Sequence, residues 1–321
     1  MYKLIRLYNQ NRRKIFIIIL IIVFIIVLIQ LLNYFAKRDN VDKNKIGNSD
    51  NIIENVLNNN KELLSDKSAI SGGKISDSKL KNDSNVISKF FDYCNNGDIE
   101  NAYSLLTDEC KEEMYPTIDE FRNIYYADIF NGQSKEYTSE NWLENTYQIN
   151  IIGDILSTGK VNSTVEKMDY ITVVRKKDGY KLNINSYIGR DNPNKVTTYK
   201  NINITVKQID KYMNYETYIL TVENTSNSDI LLDTSDSTKS VYLKDTNNIK
   251  YYFYNNEISK NRLNIQNGYT NDVKIKFMNP YTSGRTINKL VFSKMILNYE
   301  EYNNLVDKST YDDFYEFYVN V

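Results

Sequence analysis

Residues 90–107 read FFDYCNNGDIENAYSLLT, and the organisation of the chain follows from this stretch. Phe90 and Phe91 close an apolar face begun by Val86 and Ile87, at the spacing of one side of a helix. Asn95-Asn96-Gly97-Asp98 then breaks the pattern, and Asp98 is placed to cap a second helix carrying Ile99, Ala102, Tyr103, Leu105 and Leu106. Farther on, Thr117 precedes Ile118, Phe121, Ile124 and Tyr125, with Glu120 three residues after it, which is a capping box. Past Ser134 the period changes to two: Tyr147, Ile149 and Ile151 alternate with polar residues. Ile171 and Val173, then Leu182 and Ile184, flank Asp178-Gly179 and predict a hairpin. Three helices are therefore expected to lead into a curved antiparallel sheet.

Toward the N-terminus, residues 36–84 are rich in Asn, Asp, Ser and Lys and read as a flexible linker. Before them, residues 15–32 run IFIIILIIVFIIVLIQLL, with Gln30 as the one polar residue. From Ile15 through Phe24 to Leu32, and on to residue 35, this run matches the ~30 Å hydrocarbon thickness at ~1.5 Å per helical residue. At about −0.3 to −0.6 kcal/mol per apolar residue, insertion is favoured by about 5–10 kcal/mol. Lys3, Arg6, Arg12, Arg13 and Lys14 precede the run, against Lys37 and Arg38 after it, so the tail of residues 1–14 is expected in the cytoplasm. The rest of the chain is then extracytoplasmic, behind an uncleaved signal anchor whose partner is the lipid bilayer.

Toward the C-terminus, residues 191–200 (DNPNKVTTYK) read as a polar connection. Beyond it come about seven short alternating segments, among them Ile202-Ile204-Val206, Tyr218-Leu220-Val222 and Val273-Ile275-Phe277, separated by Asn, Asp, Ser and Gly. Residues 201–321 are thus expected to form an antiparallel sandwich.

The 90–107 segment, the Thr117 to Phe121 helix start and the strands that follow resemble the nuclear transport factor 2-like superfamily over about residues 85–190. That resemblance implies an α+β cone and leaves activity open, because the fold hosts enzymes, binding modules and assembly parts. Residues 215–232, YETYILTVENTSNSDILL, resemble the immunoglobulin-like domains of bacterial envelope proteins over about residues 200–321, in architecture and without their Cys or Trp core signature. The expected fold class is a single-pass membrane protein with an α+β cone plus an all-β immunoglobulin-like sandwich.

Composition narrows the function. The chain has no His, which excludes Ser-His-Asp and Cys-His catalysis and any His-ligated zinc. Cys94 and Cys110 are too few for a structural zinc site; at opposite ends of a helical hairpin they are about 18 Å apart, so they read as free buried thiols. The first 38 residues carry seven basic and no acidic side chains, leaving the remainder at −8, which argues against a nucleic-acid partner. Abundant Asn, Ile, Lys and Tyr fit an AT-rich bacterial coding sequence.

Ser71 to Lys74 and Ser76 to Lys79 fit S-x-x-K, but they lie in the linker stretch without a K-T-G element and read as chance matches. Asp233 to Asp236 and Asp245 to Asn248 lack calcium-loop spacing and read as turns. Tyr125, Trp142 and Tyr147 are the candidate lining of a pocket between sheet and helices, with Asp119 or Glu120 as its carboxylate. No metal, cofactor or catalytic residue is assigned. The expected function is a non-enzymatic, membrane-anchored binding or assembly protein of the bacterial cell envelope, working with other envelope proteins; one version is a scaffold subunit of a conjugation or type IV secretion apparatus. The alternatives are a small-molecule binder or His-independent enzyme using the cone pocket, and a cell-wall accessory factor.

Overall fold

Ser76 caps the first of the described helices: its backbone is extended and its hydroxyl accepts from the Lys79 amide at 3.4 Å. Helix α1 (Asp77–Asn95) buries Val86, Ile87, Phe90, Phe91 and Cys94 along one face. It stops where Gly97 turns left-handed at φ +69°, and Asp98 caps α2 (Ile99–Ser104) by accepting from Asn101. A Cβ at position 97 meets only the Tyr126 hydroxyl, at 3.9 Å, so backbone strain is the whole penalty there. Gly97→Ala is expected to cost about 1 kcal/mol in urea unfolding. Thr107 caps α3 (Asp108–Met114), and Thr117 and Glu120 complete the capping box of α4 (residues 118–129).

Helix α4 is built of Ile118–Glu120 in α form, Phe121–Tyr126 in π form and Ala127–Ile129 in α form. The wider turn lets Phe121 and Tyr125 stack, with centroids 5.6 Å apart and planes 16° from parallel, both facing the core. Strands β1 (Lys135–Leu143), β2 (Thr146–Gly153), β3 (Val165–Lys176) and β4 (Gly179–Asn183) form an antiparallel meander in sequential order. Phe91 stacks on Tyr137 at 4.1 Å, and Phe90, Phe121, Tyr125, Phe130 and Tyr147 fill the same core between helices and sheet.

The computed structural model describes residues 76–153, 165–234, 239–253, 263–282 and 284–321, all within one unit spanning residues 61–321. The expected span at 15–35, with Ile15, Phe24, Leu32 and the flanking Arg12, Arg13 and Lys14, lies outside the described residues, as does the tail of residues 1–14.

The second half begins with β5 (Tyr187–Asp191) and β6 (Lys195–Tyr199), which pair with successive lengths of one edge of β7 (Ile202–Tyr212). With β8 (Glu216–Asn224) and β13 (Thr270–Phe277) they make a five-stranded sheet. Strands β10 (Val241–Asp245), β11 (Lys250–Tyr252), β14 (Ile287–Met295) and β15 (Tyr315–Asn320) make a second sheet, ordered β11-β10-β14-β15. A short pair, β9 (Ile230–Leu231) and β12 (Asn264–Ile265), and helix α5 (Tyr299–Asn304) complete it. Leu220, Leu243, Phe277, Leu290, Phe292 and Val319 share one core contributed by both larger sheets.

Three expectations are corrected. The fold class, a single-pass membrane protein with an α+β cone of three helices plus an immunoglobulin-like sandwich, is corrected: the described residues are mostly β-sheet, and only α1 and the composite α4 exceed seven residues among their helices. Among the described residues no helix is long and apolar enough to cross a membrane, and the sheets are compatible only with the immunoglobulin-like part. The physical reason is that the helical-period signals are brief, and one of them is wound partly as a π turn, while Tyr, Ile, Val and Thr favour strands over the rest. The linker ends earlier than residue 84, because Ser76 caps a helix that starts at Asp77. Residues 191–200 are largely strand, interrupted only around Asn192-Pro193-Asn194, where Pro193 has no amide to give the sheet.

The two halves are tied by a buried ionic network. The Arg190 side chain is 8% exposed; Nε donates to Asp210 at 2.7 Å, one terminal nitrogen donates to Glu112 at 2.7 Å, and the other lies 3.6 Å from Glu113. Asp210, fully buried, also accepts from the Tyr187 hydroxyl at 2.8 Å, and Glu113 accepts from Tyr212 at 2.8 Å and Lys274 at 3.1 Å. Helix α3 of the first half is thereby bound to β5, β7 and β13 of the second.

Candidate functional site

A depression of about 370 Å³ opens at the rim of the first half, where α1 meets the ends of β3 and β4. Lys79, Asn82 and Asp83 come from α1, Arg175 from β3, Tyr180 from β4, and Asn145 from the turn between β1 and β2. The Lys79 ammonium donates to the Asn145 side-chain oxygen at 2.5 Å and to the Glu144 carbonyl at 3.3 Å. Asn82 donates to the Tyr180 hydroxyl at 3.2 Å. Exposed Arg175 lies directly across the β3–β4 ladder from Tyr180.

Asp83 lies beneath this lining. Its carboxylate is buried and accepts from the Tyr147 hydroxyl at 2.8 Å. Burial raises the Asp83 pKa from its ordinary 3.8, opposed by the Tyr147 hydrogen bond and the Lys79 charge. Burial beside this carboxylate also pushes the Tyr147 hydroxyl far up, so Tyr147 remains a donor and does not act as a base. The folded protein therefore holds the Asp83 proton to higher pH than the unfolded chain does. The stability linked to that proton is fully present below 3.8 and is lost as pH rises through the folded value. Urea midpoints measured from acid to neutral pH are expected to fall for the native protein relative to Asp83→Asn; a difference independent of pH contradicts this.

The sequence-predicted pocket residues do not converge. Tyr125 is buried in the aromatic core, where its hydroxyl donates to Asp169 at 3.1 Å. Tyr147 shares that core and reaches the rim only through Asp83. Trp142 is on the opposite face of β1 from the core-facing Tyr137 and Asn141, half-buried, with its ring 5.6 Å from Tyr170. Glu120 serves the Thr117 cap and Asp119 pairs with Arg122; neither lines the depression. The space expected between sheet and helices is occupied by aromatic rings.

The other candidates have local explanations. Ser76 of the S-x-x-K match caps α1, while Ser71 to Lys74 lie outside the described residues. Asp245 closes its own turn by accepting from the amides of Asn247 and Ile249, at 2.9 and 2.8 Å. Among the described residues no three His, Cys, Asp or Glu side chains gather as a metal site. Cys94 and Cys110 are free and buried, and burial pushes the Cys110 thiol up to about 12. Asp83 and Asp169 were not singled out from sequence, yet each interrupts an apolar pattern. Asp83 continues the stripe of Ile87, Phe90 and Cys94 on α1, and Asp169 occupies the inward row of Ile171 and Val173 on β3. An acid on an apolar face is the signal that marks both.

Chemically, the rim offers two cations and several amide and hydroxyl groups above a covered carboxylate. That arrangement suits holding a small polar group and supplies no activated nucleophile. No family model, curated protein or solved structure matches the chain.

Proposed function

We propose that this chain is a membrane-anchored, extracytoplasmic binding and assembly protein of the bacterial cell envelope, acting without catalysis. The observation that carries the reading is the filled interior. Aromatic side chains occupy the space between helices and sheet, so recognition falls to outer surfaces and to the rim. The Arg190 network supports it further by joining both halves into one platform on which such surfaces keep a fixed relation. The anchor in this reading rests on the apolar run of residues 15–32 and its basic flank. The likeness to immunoglobulin-like envelope domains supports the placement outside the cytoplasm. The narrower version, a scaffold subunit of a conjugation or type IV secretion apparatus, rests on a short basic tail, one span and cone-shaped domains outside, and the corrected fold leaves it the tail and the span alone.

Photocrosslinking tests the proposal. A photoreactive residue at exposed positions such as Lys177 and Lys195 is expected to give defined heteromeric adducts in intact cells. Recovery of monomer alone from every position contradicts it. A second reading, small-molecule binding at the rim, is favoured by Lys79 and Arg175 above Asp83. It requires that Arg175→Ala abolish binding of a small anionic ligand.

A further inference from the structure

The outer face of the β11-β10-β14-β15 sheet carries an ordered pattern of side chains. In register, Tyr252 lies opposite Tyr242, Tyr242 opposite Val291, and Val291 opposite Tyr318. Two residues along each strand, on the same face, Lys250 lies opposite Lys244 and Lys244 opposite Lys289. Strand spacing puts these three lysine positions within about 10 Å.

Like charges directly opposite one another destabilise a sheet, so three lysines abreast carry a cost that their ring contacts offset only in part. Among the described residues none of the three forms an ion pair with an acid, and Glu316 of β15 acts on Lys250 through its field alone. Two of the three ammonium groups lie over rings. Lys250 Nζ sits 4.2 Å from the Tyr242 centroid and Lys289 Nζ 4.1 Å from that of Tyr318.

We infer that this face is a docking site for a linear anionic glycan, whose carboxylate or phosphate groups pair with Lys244, Lys250 and Lys289. Charge complementarity selects a polyanion. Lys250 covers a face of Tyr242, itself only 6% exposed, and Lys289 covers one face of Tyr318, which stays 46% exposed. Tyr252, 36% exposed at the sheet edge, offers its ring to the C–H side of a sugar. The choice of a glycan rests on the envelope reading above.

The test uses the full chain in phosphatidylcholine nanodiscs, with polygalacturonate as the probe. Native protein is expected to bind it and to ignore neutral dextran. The combined Lys244→Gln, Lys250→Gln and Lys289→Gln variant is expected to bind about tenfold more weakly, the loss of three exposed ion pairs. A control with the same charge change on other exposed lysines, Lys89→Gln, Lys177→Gln and Lys195→Gln, is expected to bind as native does. Equal weakening in both variants, no binding by the native protein, or tighter binding of oligothymidylate or phosphatidylglycerol vesicles overturns the proposal. The assay uses purified protein, so its failure removes this docking face and leaves the envelope reading to the crosslinking experiment.

Discussion

Arg190→Met is expected to destabilise the folded unit by about 3–5 kcal/mol, the cost of stranding a buried charge. Asp210 has no exposed surface, and Arg190 is its cationic partner at 2.7 Å. Burial works against the Arg190 charge, yet the bond to Asp210 and its field outweigh that and raise the guanidinium pKa. Removing the cation leaves Asp210 with the Tyr187 hydroxyl and the Gln208 amide, which donates at 2.5 Å, and frees Glu112 and Glu113 from their shared partner. Urea unfolding reads the loss directly. The double variant Arg190→Met with Asp210→Leu is expected to recover much of it, because no unpaired charge then remains. A single-variant loss below about 1 kcal/mol means that solvent screens the network and the halves are held by other contacts.

Asp169→Ala is expected to cost about 3 kcal/mol or more through orphaned donors. The buried Asp169 carboxylate accepts from the amides of Asn185 and Ser186, each at 3.0 Å, and from the Tyr125 hydroxyl at 3.1 Å. Asn185 and Ser186 both adopt left-handed backbone, at φ 56° and 64°, which costs a non-glycine residue about 1–2 kcal/mol. They form the corner between β4 and β5, where the chain passes from the first sheet to the second. Asp169 therefore anchors strained backbone to the aromatic core. Hydrogen exchange at Asn185 and Ser186 is expected to speed up in the variant beyond what global destabilisation explains. Unchanged relative protection at the corner contradicts this role.

Local chemistry was the most readable part of the fold. The turn at Gly97, the Thr117–Glu120 capping box and the Asp178-Gly179 hairpin rest on interactions within a few residues, and these the sequence states directly. Fold class is hidden because the three short apolar helical faces set only local helices, whereas strands dominate the described residues. Residues 191–200 were misread for a different reason. β6 is exposed along nearly its whole length, so no alternating pattern marks it, and it exists because the edge of β7 is available to pair with it. The candidate site failed on Trp142 because aromatic identity does not tell which face of a strand a residue occupies; register does, and register is a property of the assembled sheet.

Protease accessibility on intact protoplasts reads which side of the membrane the β-rich unit occupies. With one epitope in the N-terminal tail and another at the C-terminus, added protease is expected to destroy the C-terminal signal and spare the N-terminal one. Protection of the C-terminal epitope with loss of the N-terminal one would place the β-rich unit on the cytoplasmic side and overturn the envelope reading.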